Sequence, residues 1–267
     1  MSNGLLSHFC SVYGPVSSWR YGRSLGIDPI GLVSTCSFNC VYCQLGEIEV
    51  KTRQRQVFVP TDQIVNDLQA REPWEAVDVV TLSGSGEPTL ALNLGEILDV
   101  ARQIMQQPAV VLTNSTLLND PEVCAALAQA DKVAAKLDAV SEEQLQRVSR
   151  PTAGIDLPLI LEGLNQFRQN YDGHLALQTM VLSPWTTDAL AAYIHILEDL
   201  APDEVQLNTP SRPRVLARQL EARGNGEIVA QPYALQNLKC VSGDVLQAIA
   251  AQIQRATHIP VRFPLLK

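Results

Sequence analysis

Apolar and polar positions along this chain switch repeatedly between two periods. Short runs that are apolar at most positions lie at Asp28–Ser34, Val77–Ser83, Ala109–Asn114, Lys132–Asp138, His174–Leu182 and Glu204–Asn208. They read as strands buried on both faces. Helical spacing fills the intervals Thr61–Arg71, Leu94–Gln106, Pro121–Ala130, Ile155–Tyr171 and Thr187–Leu200. In the second of these, Leu94, Ile97, Leu98, Ala101 and Ile104 fall on one apolar stripe. Thr61 follows Pro60 and is expected to cap the first helix, with Asp62 in its first turn. Ser141-Glu142-Glu143-Gln144 is a capping-box pattern that opens a further short helix to about Ser149.

Six strands joined by five crossover helices imply a parallel sheet with its helices outside. An open doubly wound sheet and a partial barrel both satisfy that order, and the polar residues separate them. Cys36 follows the first strand, Ser83 to Glu87 the second, and Asn114 the third. Asp138 ends the fourth, Gln178 lies in the fifth, and Asn208 ends the sixth. Ligands of parallel α/β folds bind at the carboxyl ends of the strands. Polar groups at all six ends point to one curved rim around one mouth. The expected fold is therefore α/β, a partial (β/α)6 barrel of parallel strands over residues 28–210. Residues 1–27 form an N-terminal lead-in, and residues 211–267 a largely helical extension packed on the barrel. That extension is expected to hold a helix at Ser211–Gly224, broken by Gly224-Asn225-Gly226. An amphipathic helix at Ser242–Thr257 and a short edge strand at Val261-Arg262-Phe263 follow.

Composition narrows the class. With 267 residues, 46% hydrophobic and 18% charged, the chain has ample core. No stretch approaches the ~18–20 apolar residues of a membrane helix. Met1 to Tyr13 lacks the basic start and long apolar middle of a signal peptide, so the protein is expected in the cytoplasm, without membrane contact. A net charge of −8 disfavours wholesale binding to a phosphate backbone and so argues against nucleic acid as a partner. A local basic patch could come only from Arg20, Arg23, Arg212, Arg214 and Arg218, which otherwise read as solvated charges.

The candidate chemistry starts at Cys36-Ser37-Phe38-Asn39-Cys40-Val41-Tyr42-Cys43, where three thiols share one short loop. Cys10 and Cys240 are isolated, and Cys124 reads as a small buried apolar residue in a helix. A zinc site would need His8 or Cys10 as fourth ligand, and no second ligand pair accompanies the triad. Three thiolates could instead hold three irons of a cubane, leaving the fourth iron open as catalytic metal sites do. Ser83-Gly84-Ser85-Gly86-Glu87-Pro88-Thr89 is a glycine-containing turn at a strand end. Its glycines allow positive φ and close backbone approach, and its carboxylate can accept hydrogen bonds from an ammonium group. Leu112-Thr113-Asn114-Ser115-Thr116 offers side chains for ribose or carboxylate, or for turn capping. Alternation puts Lys136 and Asp138 on one side of their strand, aimed into the barrel. Gln178, beside Met180 in alternation, and Asn208 suit ligand contact and structural filling equally.

The Cys-x-x-x-Cys-x-x-Cys loop after the first strand of a six-strand series resembles the radical S-adenosylmethionine (SAM) superfamily. The resemblance implies that Cys36, Cys40 and Cys43 ligate a [4Fe-4S] cluster whose open iron is chelated by the amino and carboxylate groups of SAM. Reductive cleavage of SAM would then give a 5′-deoxyadenosyl radical that takes hydrogen from a substrate. Tyr42 matches the aromatic residue that lies near the adenine. Ser83 to Thr89 resembles the family's Gly-Gly-Glu motif, with Ser85 in place of the first glycine. That implies that Glu87, with the backbone around Gly84 and Gly86, holds the SAM amino group. Asn114, Lys136 and Asp138 are implied contacts to ribose or carboxylate, and Gln178 and Asn208 complete the candidate cofactor set. A reductant such as flavodoxin or ferredoxin is the implied partner.

The segments Tyr13 to Arg20 and Gly22 to Pro29 resemble the lead-in of Fe–S oxidoreductases related to wyosine-type tRNA-modifying radical SAM enzymes. Tyr13, Arg20 and Arg23 either line the substrate side of the mouth or fasten the lead-in across the barrel. The wyosine-forming enzymes hold a second cluster with additional N-terminal cysteines, whereas only Cys10 precedes the triad here. One cluster is therefore expected, with a small or macromolecular substrate that the sequence does not identify. The alternatives are a tRNA-modifying enzyme on the same scaffold and a non-catalytic Fe–S or redox module.

Overall fold

A computed structural model describes residues 9–71, 76–217, 219, 220, 223 and 234–265. The chain opens with a hairpin, β1 (Val12–Ser18) and β2 (Gly22–Ile27), followed by two short strands, β3 (Thr35–Cys36) and β4 (Val50–Lys51). Then come α1 (Thr61–Gln69), β5 (Val79–Leu82), a 3-10 turn at Pro88–Leu90, α2 (Leu94–Met105), β6 (Ala109–Thr113) and α3 (Pro121–Leu127). β7 (Lys132–Lys136), α4 (Glu142–Val148), α5 (Leu157–Gln169), β8 (His174–Met180), α6 (Thr187–Leu200) and β9 (Glu204–Asn208) continue the alternation. β10 (Arg214–Val215), β11 (Leu235–Gln236), α7 (Gly243–Thr257) and β12 (Val261–Arg262) end it.

Eight strands make one sheet in the order β1-β2-β5-β6-β7-β8-β9-β12. From β2 to β12 every pairing is parallel, and only β1 runs antiparallel. The expected edge strand near Val261 is thus β12, and both lead-in strands belong to the same sheet as the barrel. Although β1–β2 and β9–β12 lie at opposite ends of this order, the two ends touch. Arg262 on β12 donates to the carbonyls of Trp19 and Arg20 at the hairpin tip, at 3.0 and 3.3 Å. Tyr21 shares a 3.3 Å hydrogen bond with Gln206 on β9. Only a sheet curled into a half-barrel brings its ends together, and right-handed strand twist supplies the curl. The hairpin tip is thus fastened across the opening by Tyr21 and by the Trp19 and Arg20 carbonyls.

The helices cover the outside of the curl. α2 buries Leu94, Ile97, Leu98, Ala101 and Met105, so its stripe ends on Met105, and Ile104 is only partly covered. Each Leu, Ile or Met among them contributes about 1.5–3 kcal/mol through burial. Val80, Leu82, Val111, Val133, Leu175 and Val205 are fully buried between helices and barrel interior. Among the described residues no helix is long and apolar enough to cross a membrane.

Three expectations need correction. The first parallel strand is Gly22–Ile27, not Asp28–Ser34. Asp28 ends it, because its carboxylate accepts the Ile30 and Gly31 amides in a tight turn and Pro29 has no amide hydrogen. The apolar run behind it is a loop, with Leu32 56% exposed. Thr61 does not cap α1, since no side-chain cap bond exists there; its hydroxyl donates to Glu96 instead. The described part of Ser211–Gly224 is not a helix but contains β10, which pairs with β11. Pro213 bars the helical conformation for Arg212. Arg218 and the Gly224–Gly226 breaker lie outside the described residues.

Candidate active site

The site grows from one pairing of loops. β3 lies parallel to β4, and Thr35 forms a second parallel bridge to Gly86. The Thr35 amide donates to the Ser85 carbonyl and the Glu87 amide donates to the Thr35 carbonyl, both at 3.0 Å. A Cβ on Gly86 would stand 1.7 Å from the Thr35 carbonyl oxygen, so this approach requires glycine. Gly84 turns the chain with φ +137°, a region that only glycine adopts freely. The cysteine loop and the glycine loop are thereby held backbone to backbone.

A cavity of about 490 Å³ opens at the carboxyl ends of the strands, lined by Cys36, Cys40 and Cys43 together with Tyr42, Gly84, Gly86 and Glu87. Asn114, Lys136, Asp138, Gln178 and Asn208 line it as well. Ser85 is the exception among the candidates. It is fully buried and its hydroxyl donates to Asp28 at 2.6 Å, outside the lining. Of the lead-in residues, Tyr13 and Arg20 line the cavity and Arg23 does not; Arg23 is exposed.

Glu87, 2% exposed, accepts four hydrogen bonds. Oε1 takes the Thr89 amide and hydroxyl and the Thr113 hydroxyl; Oε2 takes the Asn114 amide at 2.6 Å. A carboxylate offers about four lone-pair sites, so acceptor capacity remains on Oε2. Burial pushes the Glu87 carboxyl up, and these hydrogen bonds oppose that. Asn114 donates to Ser37 at 2.8 Å and to the Cys36 sulfur at 3.4 Å, while its Oδ1 accepts from Thr116. It is a clamp on the first cysteine.

On the other wall, Lys136 Nζ donates to the Cys40 sulfur at 3.0 Å and pairs with Asp138 at 3.1 Å. Lys136 ends β7 and Asp138 lies two residues beyond it, and their ion pair puts both on one side, as expected. Asp138 also accepts the Tyr42 hydroxyl and the Met180 amide, and the Lys136 ammonium sits 4.7 Å from the Tyr42 ring centre. Burial works against the Lys136 charge, but Asp138, Cys40 and Tyr42 outweigh it and hold the ammonium well above its ordinary range. Burial, followed by the charge of Asp138, raises the Tyr42 hydroxyl.

Burial raises all three cysteine thiols. Glu87 adds to the effect at Cys36, and Lys136 opposes it at Cys40. Three thiols beside a carboxylate, Cys40 buried and Cys36 and Cys43 partly so, resist ionisation unless a bound cation reverses the local charge balance. Among the described residues no three His, Cys, Asp or Glu groups converge on one metal-ion position. A cubane does not ask for convergence, because each thiolate takes a different iron. Soft thiolate donors on one wall and an acceptor with spare capacity beside them fit an iron–sulfur cluster with an amine-bearing ligand.

The remaining cysteines stand apart from the cavity lining. Cys10 donates to Val12, Cys124 to Leu118 and Cys240 to Pro210. His8, the other zinc candidate, lies outside the described residues. Sequence reasoning missed several residues that shape the site. Thr89 and Thr113 hold Glu87, and both stood inside motifs already singled out. Arg214, expected to be solvated, is 8% exposed and donates to the Val41 carbonyl in the cysteine loop. Arg223 pairs with the fully buried Asp28 at 2.9 Å, tying the extension to the loop that carries Ser85. No local pattern marked that role.

A family model described as the radical SAM superfamily matches residues 30–196. A UPF0026 protein of Synechocystis sp. is 54% identical over 257 residues, 95% of this chain and 96% of that protein. A UPF0026 protein of Methanocaldococcus jannaschii is 36% identical over 206 residues, 75% of this chain and 64% of that protein. Among solved structures, native anSMEcpe with bound AdoMet superposes with a TM-score of 0.59 at 16% identity, over 90% of this chain and 64% of that one. A radical SAM methyltransferase from Sphaerobacter thermophilus gives 0.58 at 15%, over 90% and 65%. At such identities the likeness is one of fold, the curled half-barrel. The family match covers the cysteine and glycine loops and the strands that line most of the cavity, and the chain belongs to the radical SAM superfamily of enzymes, together with the UPF0026 proteins it matches.

Proposed function

We propose that this radical SAM enzyme holds a [4Fe-4S] cluster on Cys36, Cys40 and Cys43 and SAM against Glu87 and the backbone of Gly84 and Gly86. When bound, these groups supply an electron and a 5′-deoxyadenosyl radical that removes hydrogen from the substrate. The chain's own residues orient and neutralise. Lys136 offsets negative charge at Cys40 and Asp138, and Asn114 fixes Cys36. Tyr42, tethered by Asp138, offers a ring face for the adenine, while Asn114, Lys136 and Asp138 lie in reach of ribose or carboxylate. Gln178 and Asn208 lie further along the same wall. The curled sheet, fastened by its hairpin, limits water around the reacting atoms. A low-potential protein such as flavodoxin or ferredoxin would deliver the electron.

The observation that supports this reading is the Thr35–Gly86 bridge, which sets three thiols and a buried carboxylate on one cavity. Anaerobic reconstitution tests it. The expected result is about four irons per chain and 5′-deoxyadenosine on adding dithionite and SAM. An intact cluster that never cleaves SAM would sink the enzyme reading. Glu87→Ala should keep its iron and lose SAM affinity; normal affinity would remove Glu87 from the SAM site.

A further inference from the structure

The cavity has a second polar wall, away from the cysteines, at the hairpin tip and the segment after β9. Arg20, Arg212, Gln206 and Asn208 line it. Arg20 Nε is buried without a hydrogen-bond partner, and among the described residues no carboxylate pairs with its guanidinium. Its surroundings are cationic. Burial disfavours the Arg20 charge, Tyr21 partly offsets that, and Arg212 and Arg262 add repulsion. Arg262 is answered by Glu204 at 3.6 Å. The Trp19 ring lies beneath both guanidinium groups, 5.1 Å from Arg20 and 6.0 Å from Arg262, and offsets only part of that repulsion. The Gln178–Gln206–Tyr21 chain of hydrogen bonds braces the floor. The Asn208 Oδ1 accepts the Thr209 amide, which leaves its NH2 as a neutral donor.

A guanidinium whose buried Nε is an unused donor, with other cations near it, is costly unless an anion arrives. A protein of net charge −8 gains nothing for solubility by gathering cations inside a cavity. We propose that this wall is an oxyanion site, centred on Arg20 with Arg212 beside it, that receives a carboxylate or phosphate group of a small-molecule substrate. Arginine suits both groups because its planar fork matches their oxygens. A cavity of about 490 Å³ on an acidic protein favours a small molecule over a polynucleotide. The assignment to substrate rests on the cavity being the reaction chamber proposed above; the anion site itself does not.

The test uses the reconstituted protein and inorganic phosphate or acetate, at ionic strength held constant with chloride. Phenylglyoxal modification of Arg20, read by peptide mass mapping, should slow as phosphate is raised, while modification of the exposed Arg147 should not change. Phosphate should also raise the melting temperature. Arg20→Gln and Arg212→Gln, each with an unchanged far-ultraviolet spectrum, should weaken that effect about tenfold or more, the loss of one charge-assisted hydrogen bond. Arg20→Lys should restore part of it. Absence of protection by either anion overturns the site. Protection by an oligoribonucleotide but by neither small anion overturns the small-molecule assignment. Protection of Arg20 in protein that never cleaves SAM leaves the anion site standing and removes the enzyme reading; cleavage without protection does the reverse.

Discussion

Replacing Gly86 by alanine isolates the contact on which the site depends. Gly86 does not have positive φ, so alanine meets no dihedral penalty and only space opposes it. The added Cβ would lie 1.7 Å from the Thr35 carbonyl oxygen and 2.6 Å from its carbonyl carbon. Carbon atoms pack at about 3.5–4.0 Å, and the obstacle is backbone, which cannot swing aside as a side chain can. The two loops must part, and the paired backbone bonds between Thr35, Ser85 and Glu87 go with them. Those residues are 3%, 0% and 2% exposed, so water does not replace the lost partners. The two broken bonds leave four such groups, and at about 1–3 kcal/mol for each unsatisfied buried group the loss is roughly 4–12 kcal/mol. Because Cys36 and Glu87 flank the bridge, SAM affinity should fall about tenfold or more with it. Urea unfolding measures the first quantity, and equilibrium dialysis of SAM against reconstituted protein the second. Gly95→Ala is the control: on helix α2 the one tight contact of its Cβ is the far end of Gln129 at 3.0 Å, with Ala126 at an ordinary 3.6 Å, so it should be near neutral or stabilising by up to ~1 kcal/mol. A Gly86→Ala protein within about 1 kcal/mol of wild type, with unchanged SAM affinity, would refute the reasoning.

Asp28→Ala leaves Arg223, the Ser85 hydroxyl and two turn amides without their acceptor. The expected cost is about 3–5 kcal/mol, or roughly 6–20 °C of melting temperature at ~2–4 °C per kcal/mol; a drop under ~2 °C would contradict it. Lys136→Met strands Asp138, whose side chain is 1% exposed, and should cost a similar ~3–5 kcal/mol. A double-mutant cycle with Asp138→Asn should recover part of that loss, and simple additivity would count against the pairing. Burial raises Tyr13 to about 12 and also raises Tyr21, Tyr42, Tyr171 and Tyr193. Unfolded tyrosines release protons near pH 10. The native chain therefore holds more protons than the unfolded one above that pH, and stability should fall from about pH 10 towards pH 12. Ultraviolet titration should show most of the six tyrosines unionised near pH 10.5 while the fold persists; ordinary titration of all of them in folded protein would disprove this.

What could be read before the structure was what depends on local order. The limits of the helices between the barrel strands came within a few residues, because burial of one face is written into three or four neighbouring positions, whereas the described part of Ser211–Gly224 is not the helix expected there. The strand-end polar groups were legible for the same reason, as alternation carries Lys136 and Asp138 to one side whatever the rest of the chain does. The hairpin was not legible. Gly22, Ser24 and Gly26 interrupt the apolar pattern of β2, and Gly26 is required because the Tyr13 ring lies where its Cβ would be, at 2.2 Å. Leu32 and Val33 mimic a strand in sequence, yet Asp28 has already turned the chain.

The departure at Ser85 shows why the rest was hidden. Set against the Gly-Gly-Glu pattern it looked like a substitution within the ligand-holding loop. In the fold it faces away from the cavity, onto a carboxylate 57 residues earlier that also binds an arginine 195 residues later. Those three positions meet only once the parallel register and the extension are in place, so no window of sequence contains their relation. The arginines follow the same logic. A charge total treats them as interchangeable solvated groups, but Arg214 braces the cysteine loop, Arg223 the glycine loop and Arg20 the opposite wall. An acidic chain that lines one cavity with Arg20, Lys136, Arg212 and Arg223 has gathered positive charge beside three thiols and a buried carboxylate, as the proposed cluster and the proposed oxyanion would require.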